Sequence, residues 1–184
     1  MKIKAGRILR LLRVKLGFLT VLLLLLTPSF AVTYKVKFAF FTGGVISINR
    51  EDGRVFVDGK STGIVSWFYH YKLHMVYDLK NPERSYMEED ENGKKKFYDF
   101  QKILKKKPWL PIVVRILTQS GEVPEKITVG SLTIVLTKRD NDDWYFTVYG
   151  SKNVKEVVLK GWYPGTFPRE IVVKGKKDIK LVKK

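Results

Sequence analysis

The 184-residue sequence has no cysteine and only two histidines, His70 and His74. The missing thiols exclude disulfides, thiolate metal sites, a cysteine nucleophile and a lipoprotein modification site. Stability must come from burial alone. Carboxylates are scarce too: 18 acidic residues face 35 basic ones, a net charge of +17. The serines, Ser47, Ser61, Ser66 and Ser151 among them, are not expected to form a strand-to-helix nucleophile elbow, and Gly43-Gly44 is too short to cradle a phosphate. Internal repeats and low-complexity linkers are also missing. These absences predict a protein that is not an enzyme and needs no cofactor or metal.

What is present begins with a single long uncharged run, LGFLTVLLLLLTPSFA, over residues 16–31. Lys2, Lys4, Arg7, Arg10, Arg13 and Lys15 precede it, and Ser29-Phe30-Ala31 closes it with a small-x-small pattern. A basic flank, an apolar stretch and small residues at the end describe an export signal. The leucines partition into the bilayer while the cations stay on the cytoplasmic side. The run is shorter than the ~20 residues of a spanning helix, and Pro28 interrupts it. Residues 1–31 are thus expected to be a signal peptide cut after Ala31. The alternative is an uncleaved inner-membrane anchor over residues 8–31. Either way, the rest is expected to fold outside the cytoplasm, as a periplasmic or otherwise exported protein.

Residues 32–184 have the size of one domain and retain 29 basic against 18 acidic side chains. In a cytoplasmic protein this excess would suggest nucleic acid. Beyond an export signal, it points instead to anionic lipid head groups or other acidic envelope polymers. Nucleic acid is not an expected partner.

The patterning is β. Tyr34, Val36, Phe38 and Phe40 alternate with Lys35, Lys37 and Ala39, a half-buried strand. Gly43-Gly44 is expected to turn it into a hairpin, with a return strand at 45–49 and a third strand at 54–58 closed by Asp58-Gly59. Residues 64–70 fit a helical turn or a strand equally. From Lys72 onward, Leu73, Met75, Tyr77 and Leu79 share one face. Asn92-Gly93 marks a hairpin between 85–89 and 94–100. Residues 101–107 read as a loop or a short helix, and 109–118 as a helix whose first turn tolerates proline. Further strands are expected at 125–139, 144–149, 155–162, 170–174 and 179–182. The fold class is mainly β: eight to ten strands in a curved antiparallel sheet or partly open barrel, with about one short helix. Residues 32–175 form the domain, and 176–184 a lysine-rich end.

The opening strand at 34–41 after a signal, the glycine turn and the aromatic segment at 63–71 carry a resemblance. Asp99-Phe100 before a basic loop and the closing strand at 168–173 belong to it as well. Together they resemble an exported bacterial family known as domain of unknown function 3108. The resemblance implies a periplasmic β-rich domain. Such domains are similar to curved-sheet lipoprotein carriers and lipocalin-like proteins, which hold acyl chains against a concave apolar face. It transfers no catalytic residue.

Candidate site residues are few. On a strand, His70 and His74 would stand ~13 Å apart, too far for one metal. On a helix they would share a face, but no glutamate adjoins His70. Structural histidines among aromatics are expected. Asp140, Asp142 and Asp143 lack the glycine and terminal glutamate of a calcium loop and read as a turn. The acidic run Glu88-Glu89-Asp90-Glu91 is expected to balance Lys94-Lys95-Lys96 across the hairpin. Most aromatics must fill the core; a surplus lining a ligand groove is assigned to Trp67, Phe68, Trp109 and Trp144. Contact with an anionic membrane surface is assigned to Lys174, Lys176, Lys177, Lys180, Lys183 and Lys184. The leading expectation is an envelope protein that binds a lipid or another apolar ligand. The alternatives are an envelope interaction protein that pairs through a strand edge, and a hydrolase or metal enzyme built around His70.

Overall fold

The computed structural model describes residues 30–38 and 41–184. The leader expected at 1–31 lies outside them, apart from Phe30 and Ala31, whose backbones pair with Arg50 and Asn49. Among the described residues, twelve strands form one curved antiparallel sheet that does not close. The first six are β1 (Phe30–Phe38), β2 (Phe41–Glu51), β3 (Arg54–Ser61), β4 (Tyr71–Asp78), β5 (Tyr86–Glu91) and β6 (Lys94–Asp99). The second six are β7 (Lys126–Val129), β8 (Leu132–Asp140), β9 (Asp143–Tyr149), β10 (Val154–Lys160), β11 (Glu170–Gly175) and β12 (Ile179–Lys183). Each set is a meander of neighbours. The two meanders join where β1 meets β12, from Tyr34↔Lys183 to Lys37↔Lys180. The free edges are β6 and β7, and Lys94–Lys96 place cations along the first, which discourages edge-to-edge association.

Among the described residues, three short α-helices accompany the sheet: α1 (Val65–Phe68), α2 (Phe100–Lys106) and α3 (Trp109–Leu117). A 3-10 turn at Pro82–Arg84 follows β4. The Asp99 side chain accepts from the Lys102 N–H and caps α2. Pro108 separates α2 from α3, and Pro111 sits in the first turn of α3, where its missing N–H costs little. Seven of the nine residues of α3 are buried. A helix apolar on nearly every side must be enclosed. It joins the same core as Tyr34, Ile46, Met75, Ile134, Phe146, Leu159 and Leu181 from the inner face of the sheet. The middle of the concavity is therefore solid.

Several local expectations are corrected. Gly43 and Gly44 are not a turn; they lie inside β2. Gly44 is needed because a Cβ there would collide with the Lys60 carbonyl oxygen of β3. Gly59 likewise sits within β3, paired with Leu73. The strand expected at 125–139 is a hairpin, β7–β8, turning where Gly130 has φ +56°. The strand expected at 179–182 forms as Ile179–Lys183 and lies in the middle of the sheet, between β1 and β11. The Asn92-Gly93 hairpin forms as expected, with φ of 53° and 82°.

Candidate functional site

Where α3 begins, the concavity is not filled. Two rows of inner-face residues explain why. One runs Ile46↔Gly59↔Leu73 across β2, β3 and β4, and the next runs Val36↔Gly44↔Ser61 across β1, β2 and β3. Glycine, glycine and serine stand where larger side chains would otherwise reach α3. The result is a cavity of about 380 Å³, open at one side and walled by Val36, Ile46, Leu73, Tyr69, Tyr71 and Trp109. That volume falls within the roughly 300–1,000 Å³ of small-molecule sites. Its charged side chains are Lys107 and Lys177; Lys60 also borders it, but it alternates with Gly59 and Ser61 and turns its side chain to the outer face. A neighbouring hollow of about 350 Å³ shares Lys107, Trp109 and Lys177 and adds Lys106 and Lys176. Among the described residues, no carboxylate lines either space. Among the described residues, Lys60, Lys106, Lys176 and Lys177 make no ion pair.

Lys107 does have a partner. Its ammonium lies 2.8 Å from Glu89 Oε1, and Glu89 is only 5% exposed. The same oxygen accepts from the Tyr71 hydroxyl at 2.6 Å, and Oε2 accepts from the Tyr98 hydroxyl at 2.7 Å. Lys107 also stands 5.4 Å from the centre of the Tyr71 ring. Burial would raise the Glu89 pKa, but the hydrogen bonds from Lys107, Tyr71 and Tyr98 outweigh it and hold the pKa below the ordinary value. Burial first, then bonding to Glu89, pushes Tyr71 far up and Tyr98 up to about 12. A carboxylate held ionised is a poor base, and phenols held neutral are poor acids. The cluster is suited to clamping: it ties the end of α2 to β4, β5 and β6 and fixes one wall of the cavity. Around it, Tyr69 stacks on Tyr71 with centroids 6.1 Å apart and donates to Glu91. Glu91 in turn pairs with Lys96 at 2.6 Å.

The residues assigned from sequence separate. Trp109 lines the cavity, as do Lys177 and, in the adjoining hollow, Lys176. Trp67 and Phe68 are brought to the same end by α1, yet they point to solvent, each 82% exposed, and line neither space. Trp144 is buried, with Trp162 at 5.1 Å and Phe146 at 6.5 Å, a core residue. Lys174 pairs with Glu156 and Lys180 with Glu170, so their charges are internally satisfied. Lys183 and Lys184 lie at the β1–β12 seam, where the Lys184 N–H donates to the Thr33 carbonyl.

Glu89, Tyr71 and Lys107 were not singled out by the sequence reading. Their signal was the alternation of β5, where Met87 and Glu89 share the inward face. His70 is exposed, with its backbone tied to Asn92. His74 Nδ1 meets Asp58 at 2.7 Å on the outer face, near Tyr86. Among the described residues, no three His, Asp or Glu side chains gather as a metal site would require. An open groove of about 820 Å³ on the outer face carries both signs, with Asp58, Glu88 and Asp90 facing Lys60, Lys72 and Lys95. It offers no preference for one charge. No helix among the described residues is long and apolar enough to cross a membrane.

No family model matches the sequence. It is 32% identical over 148 residues to an uncharacterized protein of Aquifex aeolicus (strain VF5), covering 80% of this chain and 81% of that one. No solved structure matches.

Proposed function

This chain belongs to the same family as that Aquifex aeolicus protein, and we propose that it is an exported envelope protein that binds an anionic amphiphile. The apolar part of the ligand lies against Val36, Ile46, Leu73 and Trp109, and its acidic head meets Lys177, with Lys106 and Lys176 in the adjoining hollow. One observation carries the reading: the cavity joins an apolar wall to the lysines Lys107 and Lys177, with no carboxylate lining it among the described residues. An apolar ligand without a charge would leave those lysines unused, and a small anion would leave the wall unused. Export is inferred from the uncharged run at 16–31 behind six cations.

The test uses the full chain with a fluorescent long-chain fatty acid and its neutral methyl ester. The acid binds tighter than the ester by roughly fivefold, the order of one partly solvated ion pair. Gly59→Leu fills the cavity from a position whose φ is not left-handed, and it weakens both ligands. Lys177→Glu weakens the acid alone. Equal binding of acid and ester, unaffected by Gly59→Leu, refutes the proposal.

A further inference from the structure

We propose that the turn carrying α1 is a membrane-docking tip, with Trp67 and Phe68 entering an anionic bilayer beside the lysines of the cavity mouth. This surface lies outside the cavity, and the inference stands whether or not the cavity takes a lipid.

The exposure is unusual for a folded chain. Ile64 is 73% exposed, and Trp67 and Phe68 are 82% exposed each, three large apolar side chains within five residues. Soluble surfaces scatter such residues singly; a contiguous group marks an interaction site. Nor is the turn merely loose. The Ser66 hydroxyl closes it onto the Gly63 carbonyl at 2.7 Å, and the Tyr69 N–H bonds to Val65. On the far side, Tyr69 donates to Glu91, the His70 N–H to the Asn92 side chain, and the Asn92 N–H to the His70 carbonyl. The near side is held by the Thr62 N–H on Gly43. The two rings are thus presented from a braced turn and are not folded back onto the sheet.

Charge complementarity selects the occupant. Val65 and Tyr69 flank the rings and line the cavity, which places the tip at the same end as Lys177, with Lys106 and Lys176 in the adjoining hollow. These three cations make no ion pair among the described residues. Indole and phenyl rings beside a cluster of lysines match the interface of an anionic membrane: the rings enter the head-group boundary while the ammonium groups meet lipid phosphates. A protein partner would have to supply both an apolar socket and several carboxylates around it. Docked in this way, the open side of the cavity lies close to the lipid surface.

The experiment is vesicle flotation of the full chain with phosphatidylglycerol-containing and pure phosphatidylcholine vesicles. Binding is expected to the anionic vesicles and to weaken at 1 M salt, where the Debye length falls to about 3 Å. Trp67→Ser with Phe68→Ser lowers partitioning roughly 100-fold, on the order of tenfold per ring removed from the lipid. Both residues are fully outside the core, so circular dichroism is unchanged, and fatty-acid binding in the cavity is retained. Trp67→Phe keeps vesicle binding but removes the tryptophan emission that brominated lipids quench. Equal flotation with neutral vesicles overturns the proposal, as does binding unaffected by the double serine variant. A monomer–dimer equilibrium abolished by the same substitutions, without vesicle binding, overturns it in favour of a second copy of the chain.

Discussion

Replacing Glu89 by glutamine probes the clamp that shapes the cavity. The carboxylate is buried and receives three bonds, from Lys107, Tyr71 and Tyr98, at 2.6 to 2.8 Å. Glutamine offers one acceptor oxygen. If that oxygen faces Tyr71 and Lys107, the amide N–H₂ meets the Tyr98 hydroxyl, and the ammonium loses its counter-charge. Lys107 is partly solvated and recovers some hydration. The net loss is about one hydrogen bond to a charged group plus part of an ion pair, about 2–3 kcal/mol at pH 7. The outward Glu88 on the same strand is the control, and Glu88→Gln should stay within about 0.5 kcal/mol. The pH dependence carries the sign. The folded pKa of Glu89 lies below its ordinary value, so its contribution is complete above about pH 4.3, the usual unfolded value. It is lost as pH falls through the folded value. Urea melts of wild type and Glu89→Gln at pH 7 and pH 3 measure both effects: a gap at neutral pH that narrows in acid. A gap below about 0.5 kcal/mol at pH 7, or one that is constant across pH, refutes the clamp.

Three further substitutions test the packing by thermal or urea unfolding. The Tyr77 hydroxyl is buried without a hydrogen-bond partner among the described residues, so Tyr77→Phe should stabilise by about 1 kcal/mol and keep the edge contact with Phe100. Trp162 is fully buried, lies edge-on to Trp144 and Phe146, and donates to the Thr166 carbonyl; Trp162→Ala should cost about 3–5 kcal/mol. Gly44→Ala forces a methyl against the Lys60 carbonyl and should cost about 1–3 kcal/mol. A Gly44→Ala protein as stable as wild type would mean that β2 and β3 lie further apart than described.

The strands were legible where alternation was clean. Leu73, Met75 and Tyr77 face inward on β4, and Trp144, Phe146 and Val148 on β9, as their spacing required. The apolar run of α3, bounded by Pro108 and Ser120, was equally readable. The misses have physical causes. Glycine pairs signal turns, yet Gly44 serves a close approach between two backbones. Residues 125–139 looked like one strand because both halves alternate; the phase shift between Ile127, Val129 and Leu132, Ile134 was the mark of the turn. The pairing of β1 with β12 spans nearly the whole domain, and local patterning carries no trace of it. That pairing sets the strand expected at 179–182 in the middle of the sheet. Of the four aromatics assigned as surplus, Trp109 lines the cavity, while Trp144 is in the core and Trp67 and Phe68 face solvent. Glu89 was missed because an acidic run reads as surface, although one of its members must face inward on a strand.

Native mass spectrometry of the full chain, incubated with a total lipid extract and washed free of unbound material, tests the central claim most directly. One anionic amphiphile should remain bound per chain and disappear in Gly59→Leu. A chain that emerges bare, or one whose lipid adducts survive Gly59→Leu unchanged, contradicts it.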